Sequence, residues 1–499
     1  MSKSTPQRSR ALHAGLTVPK IVFLVIAAAS PLAAMVATLP LAFTLGAGAA
    51  TPAMYVISGA ILLCFSVGYA AMSRQITSAG GLYAYIAAGL GRVPAVAAGF
   101  VGMLSYNALA VMLVATFGYF THLVVAGFGF DWPWVVHAGL AIALTAILGY
   151  RRVDLSARVL GVLVAAELAV LVVLDASMVG RHGGAAFPLA AFDLAGIGQG
   201  ALGLGLMFAF TSFLGFEAAA LYGEESRNPK RTVPVATYCS IAVVAIFYGL
   251  TSWITVGALG LDNVRQEAAH KLGDLIIDLT ADHLGAAAAA LLSVLLLTSL
   301  FATLVATHNS TNRLAFALGR EGVLPRSLGR VHVVHQSPAR ASAFQSAFNA
   351  TVIAIFAIAG MDPYRTLAVS MSGLGTLGLV SLQAVTAFAV VGYFRGRRDR
   401  RWWRTALAPA LGGIGLTAAV VLIIAHYPSL TGVGNPVVNS LPLVLVAAAA
   451  VGAGYALWLR RAHPDVYAAI GADASHDEPT AGPENPAPQS NPIRSGDQK

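Results

Sequence analysis

The feature that most limits what this chain can become is a succession of apolar runs of 20 or more residues, separating short clusters in which the charged residues gather. As an α-helix, a run of that length crosses the roughly 30 Å hydrocarbon core of a bilayer. Several runs, among them 21 to 46 and 366 to 394, contain Gly, Pro, Ser and Thr. Backbone in hydrocarbon must pair its own N–H and C=O groups, and outside a closed barrel only helices do so. The fold class is therefore an all-α membrane protein. Composition agrees, with 57% hydrophobic and 11% charged residues, against about 25% charged in an ordinary soluble domain.

Twelve transmembrane helices are expected, at roughly 21 to 46, 53 to 75, 93 to 125, 133 to 150, 157 to 179, 197 to 222, 234 to 259, 285 to 316, 342 to 360, 366 to 394, 405 to 426 and 436 to 459. The first run is much longer than the 7–15 residues of a signal-peptide core, so it reads as a retained span. With the amino terminus cytoplasmic, 27 of the 31 Arg and Lys fall on the inner side. Only Arg181, Arg265, Lys271 and Arg365 fall outside. This asymmetry satisfies the positive-inside rule and places both termini in the cytoplasm. The largest outer loop, 260 to 284, has room for one short amphipathic segment. The tail from about 470 is rich in Pro, Asn, Ser, Asp and Gly and cannot bury a core.

Several function classes are excluded as expectations. The net charge of +9 resides beside spans rather than on a soluble basic face, so nucleic acid is not an expected partner. Cys64 and Cys239 lie far apart in apolar runs without metal-ligand spacing. GQGALG (198 to 203) and GLGTLG (373 to 378) match a dinucleotide-binding string but lie in spans rather than in a βαβ unit. The phosphate loop of an ATP-driven pump is missing from the sequence. No nucleophile–base or metal-ligand cluster stands out. The chain is thus expected to be neither an enzyme nor a carrier of metal or cofactor.

Two spans carry interruptions. The first contains AAASPLAAM (27 to 35), where Pro31 lacks an N–H and disfavours helical geometry at Ser30. The sixth contains FTSFLGFEAAA (210 to 220), with Gly215 at its centre and Glu217 two residues on. Unpaired backbone groups in hydrocarbon cost several kcal/mol each unless something polar satisfies them, and a zwitterionic substrate can do so. Paired broken helices of this kind mark the site in transporters built from inverted repeats, and a separation of five spans inverts the second repeat. Packing kinks are the alternative, because Gly and Pro are common in membrane helices.

Glu167 and Glu217 lie deep in spans, where a charged carboxylate costs on the order of 3 kcal/mol. Each must be protonated, paired or facing a wet cavity. A carboxyl that takes up and releases a proton serves a proton-coupled carrier; one hydrogen-bonded to a neighbouring carbonyl merely joins helices. Thr303, Thr307, Ser310 and Thr311 give the eighth span a polar face, and His308 there reads as a packing residue. Ser370, Ser372 and Thr376 form a similar group in the tenth.

SRQITSAGGLYAYIAAGLGR (73 to 92), SFLGFEAAALYGEESRNPKRTVPVA (212 to 236) and NRLAFALGREGVLPRSLGRVHVVHQSPAR (312 to 340) together resemble the amino acid–polyamine–organocation (APC) superfamily of permeases over residues 15 to 460. The resemblance implies a LeuT-like five-plus-five inverted-repeat core at 21–394 and two additional helices at 395–459. They are flanked by a cytoplasmic segment at 1–20 and a disordered cytoplasmic tail at 460–499. It implies substrate-binding roles for Ser30, Pro31, Ala33, Ala34 and Met35 on the first span and for Phe210, Thr211, Leu214 and Gly215 on the sixth. Phe213 and Phe216 become candidate aromatic gates, and from their burial Glu167 or Glu217 is the candidate proton carrier. The more usual glycine-rich break of the first span is replaced here by SPLAAM. Glu167 stands where some proton-coupled relatives carry a lysine. The implied function is proton-coupled uptake of an amino acid across the cell membrane by alternating access, with membrane lipid as surroundings. A polyamine or other amine, or substrate/product antiport, is the alternative within this fold. A ligand-binding receptor or a channel is the alternative outside it.

Overall fold

The computed structural model describes residues 18–76, 80–151, 157–195, 198–217, 228–332, 337–397, 401–431 and 436–471. Among them the regular elements are helical. Ten helices are long and apolar enough to cross a membrane, which makes the chain a multi-pass membrane protein. We label α1 Val18–Ala29, α2 Pro31–Leu45, α3 Thr51–Ser73, α4 Leu82–Leu90, α5 Arg92–Ala126, α6 Trp134–Arg151, α7 Ala157–His182 and α8 Gln199–Phe213. Next come α9 Pro229–Leu259, α10 Val264–Lys271, α11 Leu275–Leu284, α12 Ala286–Arg320, α13 Ala339–Ile358 and α14 Pro363–Phe394. The last three are α15 Ala408–Thr431, α16 Leu441–Ala462 and α17 Pro464–Ala469.

The two apolar helices too short to cross alone, Pro31–Leu45 and Ala201–Phe213, lie in the two runs whose sequence carries an interruption. α1 stops at Ala29, and Ser30 adopts φ 48°, a left-handed conformation that costs a non-glycine residue about 1–2 kcal/mol. The chain then resumes at Pro31, whose fixed φ suits a first helical position. α8 ends at Phe213, and Gly215 follows with φ 109°, which glycine reaches without a Cβ clash. Glu217 therefore sits in a turn beyond the helix, not inside it as the apolar run suggested. Residues 218–227, which complete the expected sixth span, lie outside the described residues.

Position within the bundle follows side-chain size and polarity. In an apolar 18-residue stretch of α14, 78% of the residues are buried, against 22% in both α6 and α16, so α14 is central and the other two are peripheral. Small residues let backbones touch where lipid gives no hydrophobic drive for association. Gly412 of α15 lies so close to α3 that a Cβ would come 2.5 Å from the Phe65 nitrogen, and Gly89 of α4 abuts the Ala389 carbonyl of α14.

Two expectations about the ends of the bundle need correction. The loop at 260 to 284 holds two helices, α10 and α11, rather than one segment, because Leu272 at φ 47° breaks the helical path between them. Arg265 of α10 donates to the carbonyls of Thr44 and Gly46 at 2.6 and 2.9 Å, capping the C-terminal end of α2. The expected disordered tail begins with an ordered segment, α17. Arg92 donates to the Ala468 carbonyl at 3.0 Å and stacks over Tyr467. The Glu321 carboxylate accepts from the Gly471 N–H at 3.3 Å and from the Tyr83 hydroxyl. Residues 472–499 lie outside the described residues.

Candidate functional site

A cavity of about 120 Å³ lies at the two interruptions, walled by α1, α2, α5, α8, α12 and α14. A buried water needs roughly 10–15 Å³ on the same measure, so the space suits a ligand of about ten non-hydrogen atoms. Ser30, Ala33, Ala34, Thr211, Leu214, Gly215 and Glu217 line it, as the sequence led us to expect of the two breaks. Pro31, Met35, Phe210, Phe213, Phe216 and Glu167 do not.

The reasons are local. The turn after α8 sends Phe213 and Phe216 toward α3, where Phe213 meets Tyr55 and Phe216 meets Phe65 edge-on. They pack helices together and form no aromatic gate on the cavity. Met35 and Phe210 are on the buried sides of their helices, with 0% and 2% exposure.

Glu167, on α7, sits behind the first break. Its carboxylate accepts from the Ser299 hydroxyl at 2.7 Å and from the Leu32 N–H at the start of α2. Ser299 Oγ in turn lies 2.6 Å from Ser30 Oγ, which faces the cavity. A carboxylate at the amino end of a half-helix is favoured by the exposed donors and the helix dipole. The Leu32 amide at the break is therefore occupied from within. On the other side of the break, the Ala29 carbonyl accepts from Tyr248 at 3.1 Å.

Glu217 closes one end. Oε2 accepts from the Gly215 N–H at 3.0 Å and Oε1 from the Tyr106 hydroxyl at 3.4 Å, while its carbonyl accepts from Tyr69 at 3.0 Å. Tyr106, Glu217 and Ser310 line this cavity and also a second one of about 40 Å³, beside Gly81 and Tyr83 near α4. They form the partition between the two. At the opposite end Tyr364 of α14 donates to the Ala37 carbonyl at 2.6 Å and stacks on Tyr119 at 4.7 Å, with Phe120 against its edge. These rings pack at that end of the cavity, where α11 and its preceding turn cover the bundle; a Cβ on Gly273 there would come 2.9 Å from the Tyr119 ring and 3.0 Å from the Phe120 ring.

The remaining walls were invisible in the sequence or only half legible. Leu109, Met112, Leu113 and Thr116 of α5 read as ordinary apolar-span residues. Thr303, Thr307 and Ser310 of α12 and Ser372 of α14 belong to polar groups that a packing face predicts equally well. Within α14, Ser372 and Thr376 meet Thr211 at 3.4 and 2.7 Å. His308 bonds Ser342 of α13 at 2.8 Å, as a packing residue does. Among the described residues lining the cavity, Glu217 is the sole Asp, Glu, Lys, Arg or His. Among the described residues, no group of three or more His, Cys, Asp and Glu is placed to hold a metal.

Comparison with known proteins agrees with this architecture. The amino acid permease family model matches residues 16–450. An uncharacterized transporter of Mycobacterium tuberculosis is 28% identical over 396 residues, covering 74% of this chain and 81% of the relative. The branched-chain amino acid permease BcaP of Bacillus subtilis is 25% identical over 411 residues, covering 76% and 81%. The methylthioribose transporter of the same organism is 26% identical over 361 residues, covering 68% and 74%. With a match that extends from before the first helix into the last long one, the chain belongs to the amino acid permease family.

Proposed function

We propose that this protein is a secondary active transporter that carries a neutral amino acid across the cell membrane by alternating access, coupled to protons. It carries out no covalent chemistry. The observation that supports this reading best is the meeting of two helix interruptions at one small cavity, with Tyr364 at one end and, at the other, Tyr106 and Glu217 between it and a second cavity. A pore needs a continuous path, whereas a carrier needs a site that opens to one side at a time. Membership of the amino acid permease family supports the cargo class.

The architecture belonging to this reading is the five-plus-five inverted repeat of the APC superfamily. It has twelve spans, the two interrupted ones included, and both termini in the cytoplasm. The distribution of Arg and Lys supports that orientation. The substrate carboxylate would sit by Ser30 and Ala33, its ammonium group by the carbonyl end of α8 and Glu217. Its side chain would lie against Leu109, Met112 and Leu113. That wall carries no charge, which favours an aliphatic side chain over a lysine- or glutamate-like one.

Purified protein in liposomes, assayed with radiolabelled leucine, tests the reading. Uptake should be driven by an imposed inward proton gradient, and internal unlabelled leucine should produce counterflow. If a panel of neutral, cationic and acidic amino acids showed neither uptake nor counterflow, the transporter reading would fail. Counterflow of leucine without any response to the proton gradient would leave an exchanger and remove the proton.

A further inference from the structure

A second site lies away from the cavity, at the Arg-rich end of the bundle. Three guanidinium groups from distant parts of the chain line one crevice of about 210 Å³. Arg74 follows the end of α3, and Arg401 and Arg404 precede α15. The Tyr238 ring of α9 joins them, and Val67, Ala70 and Phe394 form an apolar side. Among the described residues, no carboxylate pairs with any of these arginines and none of the three guanidiniums makes a hydrogen bond to protein. Three unpaired like charges brought together repel one another, so folding alone gives no reason to gather them.

The surroundings identify the counter-charge. Trp402 and Trp403, between the two distal arginines, are 66% and 51% exposed. Exposed tryptophans at the end of a span mark the headgroup level of a bilayer. The crevice therefore opens between membrane helices at the depth of lipid phosphates, basic on one side and apolar on the other. A free anion matches only the basic side. An anionic phospholipid matches both, through a bidentate guanidinium–phosphate contact and an acyl chain along the helices. A merely solvated basic surface predicts neither the apolar wall nor the gathering of three arginines from two sequence regions more than 300 residues apart.

We propose that the crevice of Arg74, Arg401 and Arg404 is a binding site for the phosphate headgroup of an anionic phospholipid. The site joins α3 and α9 to α14 and α15, so an occupied crevice holds these four helices together at one membrane face.

The full chain is reconstituted in nanodiscs of phosphatidylcholine alone, of phosphatidylcholine with phosphatidylglycerol, or of phosphatidylcholine with millimolar inorganic phosphate in solution. Thermal unfolding is read in each. Phosphatidylglycerol should raise Tm by about 3 °C or more, and inorganic phosphate should not. The triple variant Arg74→Gln, Arg401→Gln, Arg404→Gln should lose this shift while melting like wild type in phosphatidylcholine. If that variant does not fold, Arg401→Gln and Arg404→Gln are compared singly, and native mass spectrometry counts the phosphatidylglycerol each retains; each should keep less than wild type. Equal Tm in the two lipid mixtures, an undiminished shift or lipid count in the variants, or a shift reproduced by inorganic phosphate alone would overturn the proposal. None of these readouts depends on the transported substrate.

Discussion

Ser299 holds Glu167 against the first helix break, donating its hydroxyl to Oε2 at 2.7 Å while its oxygen stays 2.6 Å from Ser30. The cavity is thereby connected to a buried carboxyl through two hydroxyls. Glu167→Gln keeps the size and the acceptor oxygen but removes the exchangeable proton. Purified Glu167→Gln protein should fold and exchange leucine, yet lose gradient-driven uptake by tenfold or more. Ser299→Ala leaves a carboxyl oxygen short of a donor, at a cost of about 1–3 kcal/mol, and should lower Tm. Full gradient-driven uptake by Glu167→Gln would take the proton away from this residue.

Glu217 and Tyr106 stand between the two cavities, so their bond must break for substrate to pass from one to the other. Tyr106→Phe removes the hydroxyl alone. It is expected to raise the exchange rate at saturating leucine by a few-fold, with little change in Tm. Glu217→Gln keeps one oxygen to accept from Gly215 but turns an NH2 donor toward Tyr106, so a change in its transport beyond that of Tyr106→Phe reports the charge. An unchanged exchange rate in Tyr106→Phe would show that the partition does not limit transport.

Leu113 lines the uncharged wall beside α12. Leu113→Phe shortens the space left for a side chain, and a poor fit in an apolar pocket costs about 1–3 kcal/mol. Leucine should lose roughly tenfold or more in apparent affinity, alanine much less. Equal losses for both, measured by competition against labelled leucine, would place the side chain elsewhere.

Asp274, in the turn between α10 and α11, is half-buried, and burial, followed by the nearby Asp278, raises its carboxyl above the usual aspartate value. A carboxyl raised on folding opposes stability above its folded value, and the opposition vanishes below its unfolded value. Asp274→Asn should therefore raise Tm at pH 7.5, and the gain should shrink as pH falls toward 4. A gain that is constant across this range would trace to something other than charge.

The ten long apolar helices were legible because each states its length and polarity locally, and the first break was legible because Pro31 acts on its own neighbour. Gly215 likewise announced the end of α8. The directions of the side chains around it were not legible. A single turn at 214 to 217 decides that Glu217 faces the cavity while Phe213 and Phe216 face α3. Leu109 and Met112 line the site through the rotation of a 35-residue helix whose surface is apolar nearly all round. In such a helix hydrophobic periodicity carries little information about facing. Arg74, Arg401 and Arg404 were counted as topology signals, and only the folded chain shows that they share one crevice.

The docking of α17 against Arg92 and Glu321 bears on biosynthesis. Helices enter the membrane in order as the ribosome delivers them, and residues 464–471 follow α1 to α16. The wall beside the second cavity, which Tyr83 and Glu321 share, is therefore fastened last. A chain truncated after Ala462 would keep α1 to α16 while this face remained unlatched.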